Sequence, residues 1–121
     1  MPLKYVLDEH LRGLFWRYIQ RREARGVVPI DVVRAGDFED LALGEPDSWL
    51  LVWAERENRI LVSRDQRTLP IHLAEHLKSG RHSPGVFLLR SGPVVRAVEF
   101  MVCAAYASEE SEWADRITFI P

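Results

Sequence analysis

Short runs of β-prone apolar residues alternate along the chain with longer stretches whose apolar positions recur at helical spacing. Leu3-Lys4-Tyr5-Val6-Leu7 reads as a first strand. Between residues 9 and 25, Leu11, Leu14, Phe15, Tyr18 and Ile19 return every three or four positions, which predicts one amphipathic helix closed by Gly26. Residues 30–33 form a second short strand. After a polar turn, Pro46 opens a helix over residues 47–58, with Trp49, Leu50, Val52, Trp53 and Ala54 as its apolar face. Residues 59–63 make a third strand. Thr68 is the expected cap of a helix over 69–79 that ends before Gly80. A fourth strand covers 86–90, and Pro93 leads into an apolar helix through Val94, Val95, Val98, Met101, Val102 and Tyr106. Residues 117–120 supply a closing strand.

Strands that are apolar without interruption are buried on both faces, and helices between them supply the cover. The pattern therefore predicts an α/β fold: a three-layer α/β/α sandwich around a mainly parallel five-stranded sheet. With no repeat, linker or low-complexity tract, residues 1–121 read as one domain. In open sheets of this kind the functional crevice lies at the carboxyl ends of the strands, where strand order reverses.

Composition narrows the setting. Hydrophobic residues make up 47% and charged residues 28% of the chain, ordinary globular usage. The lone Cys103 excludes an internal disulfide framework and favours a reducing compartment. The N-terminus lacks signal-peptide character and no apolar run approaches the length of a membrane span, so a cytoplasmic protein with no membrane partner is expected. Net charge is −2, but it is unevenly spread. Residues 1–34 carry seven basic against four acidic side chains, and residues 99–121 carry one against five.

Candidate chemistry sits where strands end. Asp8 and Glu9 follow the first strand and Asp65 follows the third, while Asp47, just after Glu45, starts a helix. In a parallel sheet Asp8 and Asp65 converge on one edge, and Asp47 can reach the same crevice. Carboxylates gathered in this way repel one another unless a cation neutralises them. Mg²⁺ or Mn²⁺, hard ions that take carboxylate oxygens and water, suit such a site, where they would activate water against a phosphodiester. Asp8 and Asp47 also fit simple helix caps, Asp65 a turn residue, and Glu9 and Glu45 solvated charges. Arg64 and Arg67 flank Asp65 and are the candidates for holding a substrate phosphate. Arg17, Arg21 and Arg25 line one face of the first helix, a solvated face or a phosphate-tracking stripe. His72 and His76 stand four apart, but Leu-Ala-Glu between them is not a zinc-protease pattern, and a helix surface is their expected place. The four tryptophans are expected in the core or at an interface.

Four segments, in order, carry a family resemblance: Val6-Leu7-Asp8-Glu9-His10-Leu11, Pro46-Asp47-Ser48-Trp49-Leu50, Leu61-Val62-Ser63-Arg64-Asp65 and Gly85-Val86-Phe87-Leu88-Leu89-Arg90. Together they resemble the PIN-like domains, in the short bacterial branch related to the toxin ribonucleases of toxin–antitoxin pairs. The resemblance implies a PIN-like α/β/α fold and Mg²⁺- or Mn²⁺-dependent endoribonuclease activity. By position it implies Asp8, Asp47 and Asp65 as metal-binding and catalytic acids, RNA as substrate and an antitoxin protein as partner. Three positions depart from the pattern: His10 replaces the usual Asn, Gln66-Arg67 replaces a polar-Asp-Phe stretch, and Ser91-Gly92 stands where classical members carry a further acid. These departures leave a second expectation, a catalytically inactive PIN-like module that binds RNA or a protein partner. The acidic tail and apolar last helix would then serve an interface, including that of a homo-oligomer. A phosphorelay receiver domain also pairs acids after its first strand, but it needs a lysine after its fifth, and no lysine follows Lys78.

Overall fold

A computed structural model describes residues 2–121. Strand β1 spans Lys4–Leu7, β2 Asp31–Arg34, β3 Ile60–Ser63, β4 Val86–Leu89 and β5 Ile117–Ile120. The helices are α1 (Leu14–Ala24), α2 (Asp47–Glu57), α3 (Leu69–Lys78) and α4 (Val94–Ala107). Every strand pair is parallel, in the order β2-β1-β3-β4-β5, so connections leave β1 toward opposite sides and the order reverses between β1 and β3. This is the α/β/α architecture that the hydrophobic pattern implies.

Strand side chains alternate between faces, which divides the interior in two. Tyr5, Leu7, Ile60, Val62, Phe87 and Leu89 pack with Leu11, Phe15 and Ile19 around α1 and with Ala97, Val98, Met101 and Ala105 of α4. Val6, Leu61, Val86 and Leu88 face Leu50, Leu51, Trp53 and Ala54 of α2 and Leu69 and Leu73 of α3. The apolar stripe of α4 is thus covered by the chain's own sheet, leaving Val95 and Tyr106 outside. No described helix is long and apolar enough to cross a membrane.

Apart from His72 Nδ1, the buried side-chain polar atoms among the described residues are paired, as desolvation requires. The Tyr5 hydroxyl donates to the Met101 carbonyl at 2.7 Å, and burial pushes that phenol far above its ordinary pKa. Arg22, 7% exposed, joins α1 to α4 through Glu99 at 3.1 Å and also donates to the Val28 carbonyl. Arg59 reaches across the sheet to the Tyr5 carbonyl at 3.1 Å and the Asp31 carboxylate at 2.8 Å.

Local structure departs from the sequence pattern in four places. The segment after Asp8 is two elements rather than one helix. A 3₁₀ turn over Glu9–Leu11 is followed by a break at Arg12-Gly13, and α1 starts only at Leu14, which is 70% exposed and not part of the buried face. Pro46 stands as the N-cap of α2 instead of inside it. Thr68 occupies the cap position of α3 but its side chain makes no cap bond; its hydroxyl donates to Asp65 instead. His76 lies inside, not on a helix surface: its Nε2 sits 2.8 Å from the His82 carbonyl and 3.1 Å from Glu55. Trp53 is buried, while Trp16, Trp49 and Trp113 pack partly exposed against the two cores.

Gly85 marks a tight joint between β4 and the chain before β5. Its φ is +125°, and a Cβ there would lie 2.5 Å from the Trp113 carbonyl oxygen. Trp113 is held in turn by edge-on contacts with Phe87 and Phe100 at centroid distances of 5.2 and 6.2 Å. Strain and collision coincide, so Gly85→Ala should lower stability by about 2 kcal/mol or more. Urea denaturation would register this as a reduced midpoint at unchanged slope.

Candidate active site

The carboxyl ends of β1 and β3 are joined more tightly than their strand pairing alone requires. The Asp8 N–H donates to the Val62 carbonyl at 3.1 Å, carrying the ladder one residue past β1. Asp8 then turns inward, 7% exposed, and caps the 3₁₀ turn by accepting the His10 N–H at 2.9 Å. Its second oxygen accepts from the Ser63 hydroxyl, and the Ser63 oxygen accepts the Asp65 N–H at 3.1 Å. One serine therefore links the two acids that the sequence separates by dozens of residues.

Asp8, Asp47 and Asp65 line one cavity of about 150 Å³, together with Glu9, His10, Glu45 and the apolar Ala35, Leu41, Ala42 and Leu50. Its outer wall is the segment between β2 and α2. Leu41 is buried beneath it, and Arg12 clamps it by donating to the Ala35 carbonyl and the Asp37 carboxylate, both at 2.8 Å. Glu9 fastens the far end by accepting the Gly44 N–H at 3.3 Å. Glu9 and Glu45 thus belong to the cavity wall and are not merely solvated charges.

The three aspartates differ in electrostatic state. Burial raises the pKa of Asp8, and the charge of Asp47 adds to the rise against the lowering effect of the Ser63 and His10 bonds. Burial also raises Asp47, with Asp65 and Glu9 adding repulsion and His72 and His10 opposing it. Asp47 is the first residue of α2, and its carboxylate lines the cavity without a hydrogen-bond partner among the described residues. Asp65 is lowered, first by the Thr68 hydroxyl, then by the Thr68 and Arg67 N–H groups, both at 3.0 Å. It is the acid that closes the entry to α3.

Arg64 and Arg67 are exposed and lie outside the residues lining the cavity; neither forms an ion pair among the described residues. Two histidines enter the picture that the sequence pattern did not single out for this place. His10 lines the cavity, and His72 acts electrostatically on both Asp47 and Asp65 while its buried Nδ1 has no partner. Position four after Thr68 put His72 on the first turn of α3, the only sequence signal available.

The donor set is oxygen-rich and acidic, which suits a hard divalent ion better than zinc. No three or more His, Cys, Asp or Glu among the described residues stand at metal-holding spacing. The residues that would hold such an ion are the carboxylates lining the cavity, Asp8, Asp47 and Asp65. No family model, curated protein or solved structure matches this chain.

The opposite shifts of two aspartates give opposite pH slopes. A raised folded pKa means that the Asp47 contribution weakens stability as pH rises above the unfolded value near 3.8. In EDTA, Asp47→Asn should be more stable than the parent at pH 7, with the gap closing toward pH 4. A lowered folded pKa means that Asp65 stabilises above that same value and loses its contribution as pH falls below it. Asp65→Ala should lose about 1 kcal/mol at neutral pH, the size of a lost helix-entry bond. Urea midpoints across this range would check both signs.

Proposed function

We propose that this chain is a divalent-metal-dependent endoribonuclease of the PIN-like type, hydrolysing RNA phosphodiesters at the junction of β1 and β3. The observation that carries this reading is the pairing of Asp8 and Asp47. Two acids from separate elements line one cavity at the reversal of strand order, both raised first by burial, with the charge of Asp47 raising Asp8 further and those of Asp65 and Glu9 raising Asp47. Such an arrangement costs stability unless a cation relieves it.

In this reading Asp8 and Asp47 hold Mg²⁺ or Mn²⁺, which when bound supplies Lewis acidity and an acidified water. The protein's own part is orientation. Ser63 and the His10 N–H fix both oxygens of Asp8, so this acid is rigid. Asp47 carries no hydrogen bond among the described residues, so an oxygen not taken by the ion would accept a proton from water. Asp65, with its oxygens engaged by α3, adds negative charge and holds Ser63 in place. Arg64 and Arg67 stand on the exposed loop between Ser63 and α3, where a guanidinium can meet an RNA phosphate. An antitoxin protein would be the natural restraint on such an activity in the cell.

A second reading is a non-catalytic module that binds RNA or protein. Two observations favour it: the oxygens of Asp65 are occupied by Arg67 and Thr68 just ahead of α3, and Ser91-Gly92 brings no acid after β4.

Cleavage of labelled single-stranded RNA decides between them. The nuclease reading expects Mn²⁺-dependent cleavage that stops with EDTA and falls about 100-fold in Asp8→Asn and Asp47→Asn. It also expects Mn²⁺ to raise the melting temperature of the parent but not of Asp47→Asn. Cleavage that survives both substitutions, or no cleavage and no Mn²⁺ stabilisation, would overturn it.

A further inference from the structure

A second, larger cavity opens on the same edge of the sheet, at the carboxyl ends of β4 and β5. It holds about 450 Å³ and is lined by Arg90, Ser91, Gly92, Pro93, Arg96, Phe119 and Pro121. No acidic side chain lines it. Neither Arg90 nor Arg96 forms an ion pair among the described residues, although this chain carries more acidic than basic residues overall.

We propose that this cavity binds one nucleotide of a single-stranded RNA, beside the position where the strand would be cut. Its chemistry is that of single-strand recognition: unpaired guanidiniums for a phosphate and an accessible aromatic ring for a base. Phe119, on the edge strand β5, is 46% exposed and leaves its ring open to a ligand. Arg90 lies 5.4 Å from the centroid of that ring, so guanidinium and ring form one stacking platform. The Arg90 N–H is fixed to the Ile120 carbonyl at 3.0 Å, which anchors the platform to both strands. Arg96 approaches from the first turn of α4.

Placement supports the same occupant. Adjacent strands lie about 4.8 Å apart, so the β4/β5 cavity is displaced by roughly 10 Å from the acidic cavity at β1/β3. An extended single strand covers that span in one or two nucleotides. A strand crossing the sheet edge would therefore set one phosphate at the acids while its neighbour rests on Phe119 and the arginines. The choice of RNA as occupant and the place of the cut rest on the nuclease reading above; the cavity, its arginines without ion pairs and its exposed ring do not.

Binding is measured by fluorescence anisotropy of a short fluorescein-labelled single-stranded RNA in EDTA, where cutting cannot occur. Arg90→Ala combined with Arg96→Ala should weaken binding about tenfold or more and flatten the salt dependence by about one unit of slope. Phe119→Leu should weaken it about fivefold, the effect of one lost stacking contact. A charge-matched control, Lys78→Ala with Arg81→Ala at the exposed end of α3, should change affinity much less. Circular dichroism and melting confirm that each variant is folded. The proposal is overturned if the folded double variant binds as the parent does, if the control loses as much, or if the parent binds no RNA. RNA bound through this cavity without any Mn²⁺-dependent cutting would sink the nuclease reading and leave the subsite standing. Cutting that persists while these variants bind normally would do the reverse.

Discussion

The hydroxyl of Ser63 holds the two halves of the site together. It donates to Asp8 and accepts from the backbone of Asp65, so the ends of β1 and β3 are joined by side chains as well as by the ladder. Because Ser63 and Asp8 are both buried, neither has water as an alternative partner, and the bond is correspondingly hard to give up. The position of Asp8, the turn into the 3₁₀ segment and the entry to α3 all depend on it.

Around that link the fold sets up an electrostatic gradient. Asp65 is held ionised by the donors of Arg67 and Thr68 just before α3, Asp8 has both oxygens bonded, to Ser63 and His10, and Asp47 has no hydrogen-bond donor among the described residues. Unsatisfied charge therefore accumulates on the α2 side of the cavity, beside the clamped segment that carries Leu41 and Gly44. The wall is rigid for local reasons: Arg12 and Arg34 both bind Asp37, and Asp40 accepts from Trp49 through its carbonyl and from Trp53 through its carboxylate.

The sheet also separates tasks by edge. At the carboxyl ends lie the acids, the exposed Arg64 and Arg67, and the Arg90–Phe119 platform. At the opposite ends, His76, Glu55, His82 and Asp115 bond to one another and to the backbone of Ser83, tying α2 and α3 to the chain before β5. This second cluster consumes its charges internally, which is the behaviour of a structural tie.

Much of the fold was legible in the chain because its signals are local. Uninterrupted apolar runs in β1, β3 and β4, helical spacing in α2 and α4, and Gly26 and Gly80 as stops each depend on a few neighbouring residues. The break at Arg12-Gly13 was not legible, since Leu14 keeps the apolar spacing while pointing to solvent. Nor was the inward turn of His76, whose partners Glu55 and His82 come from other segments. The sequence by itself determined that acids would follow β1 and β3 and that these ends would share an edge. Only the tertiary structure decided which acid is capped, which is buried and which is left without a donor. Those outcomes depend on Ser63, Thr68 and the segment around Leu41 arriving from distant parts of the chain, and hydrogen bonds between remote residues leave no periodicity to read.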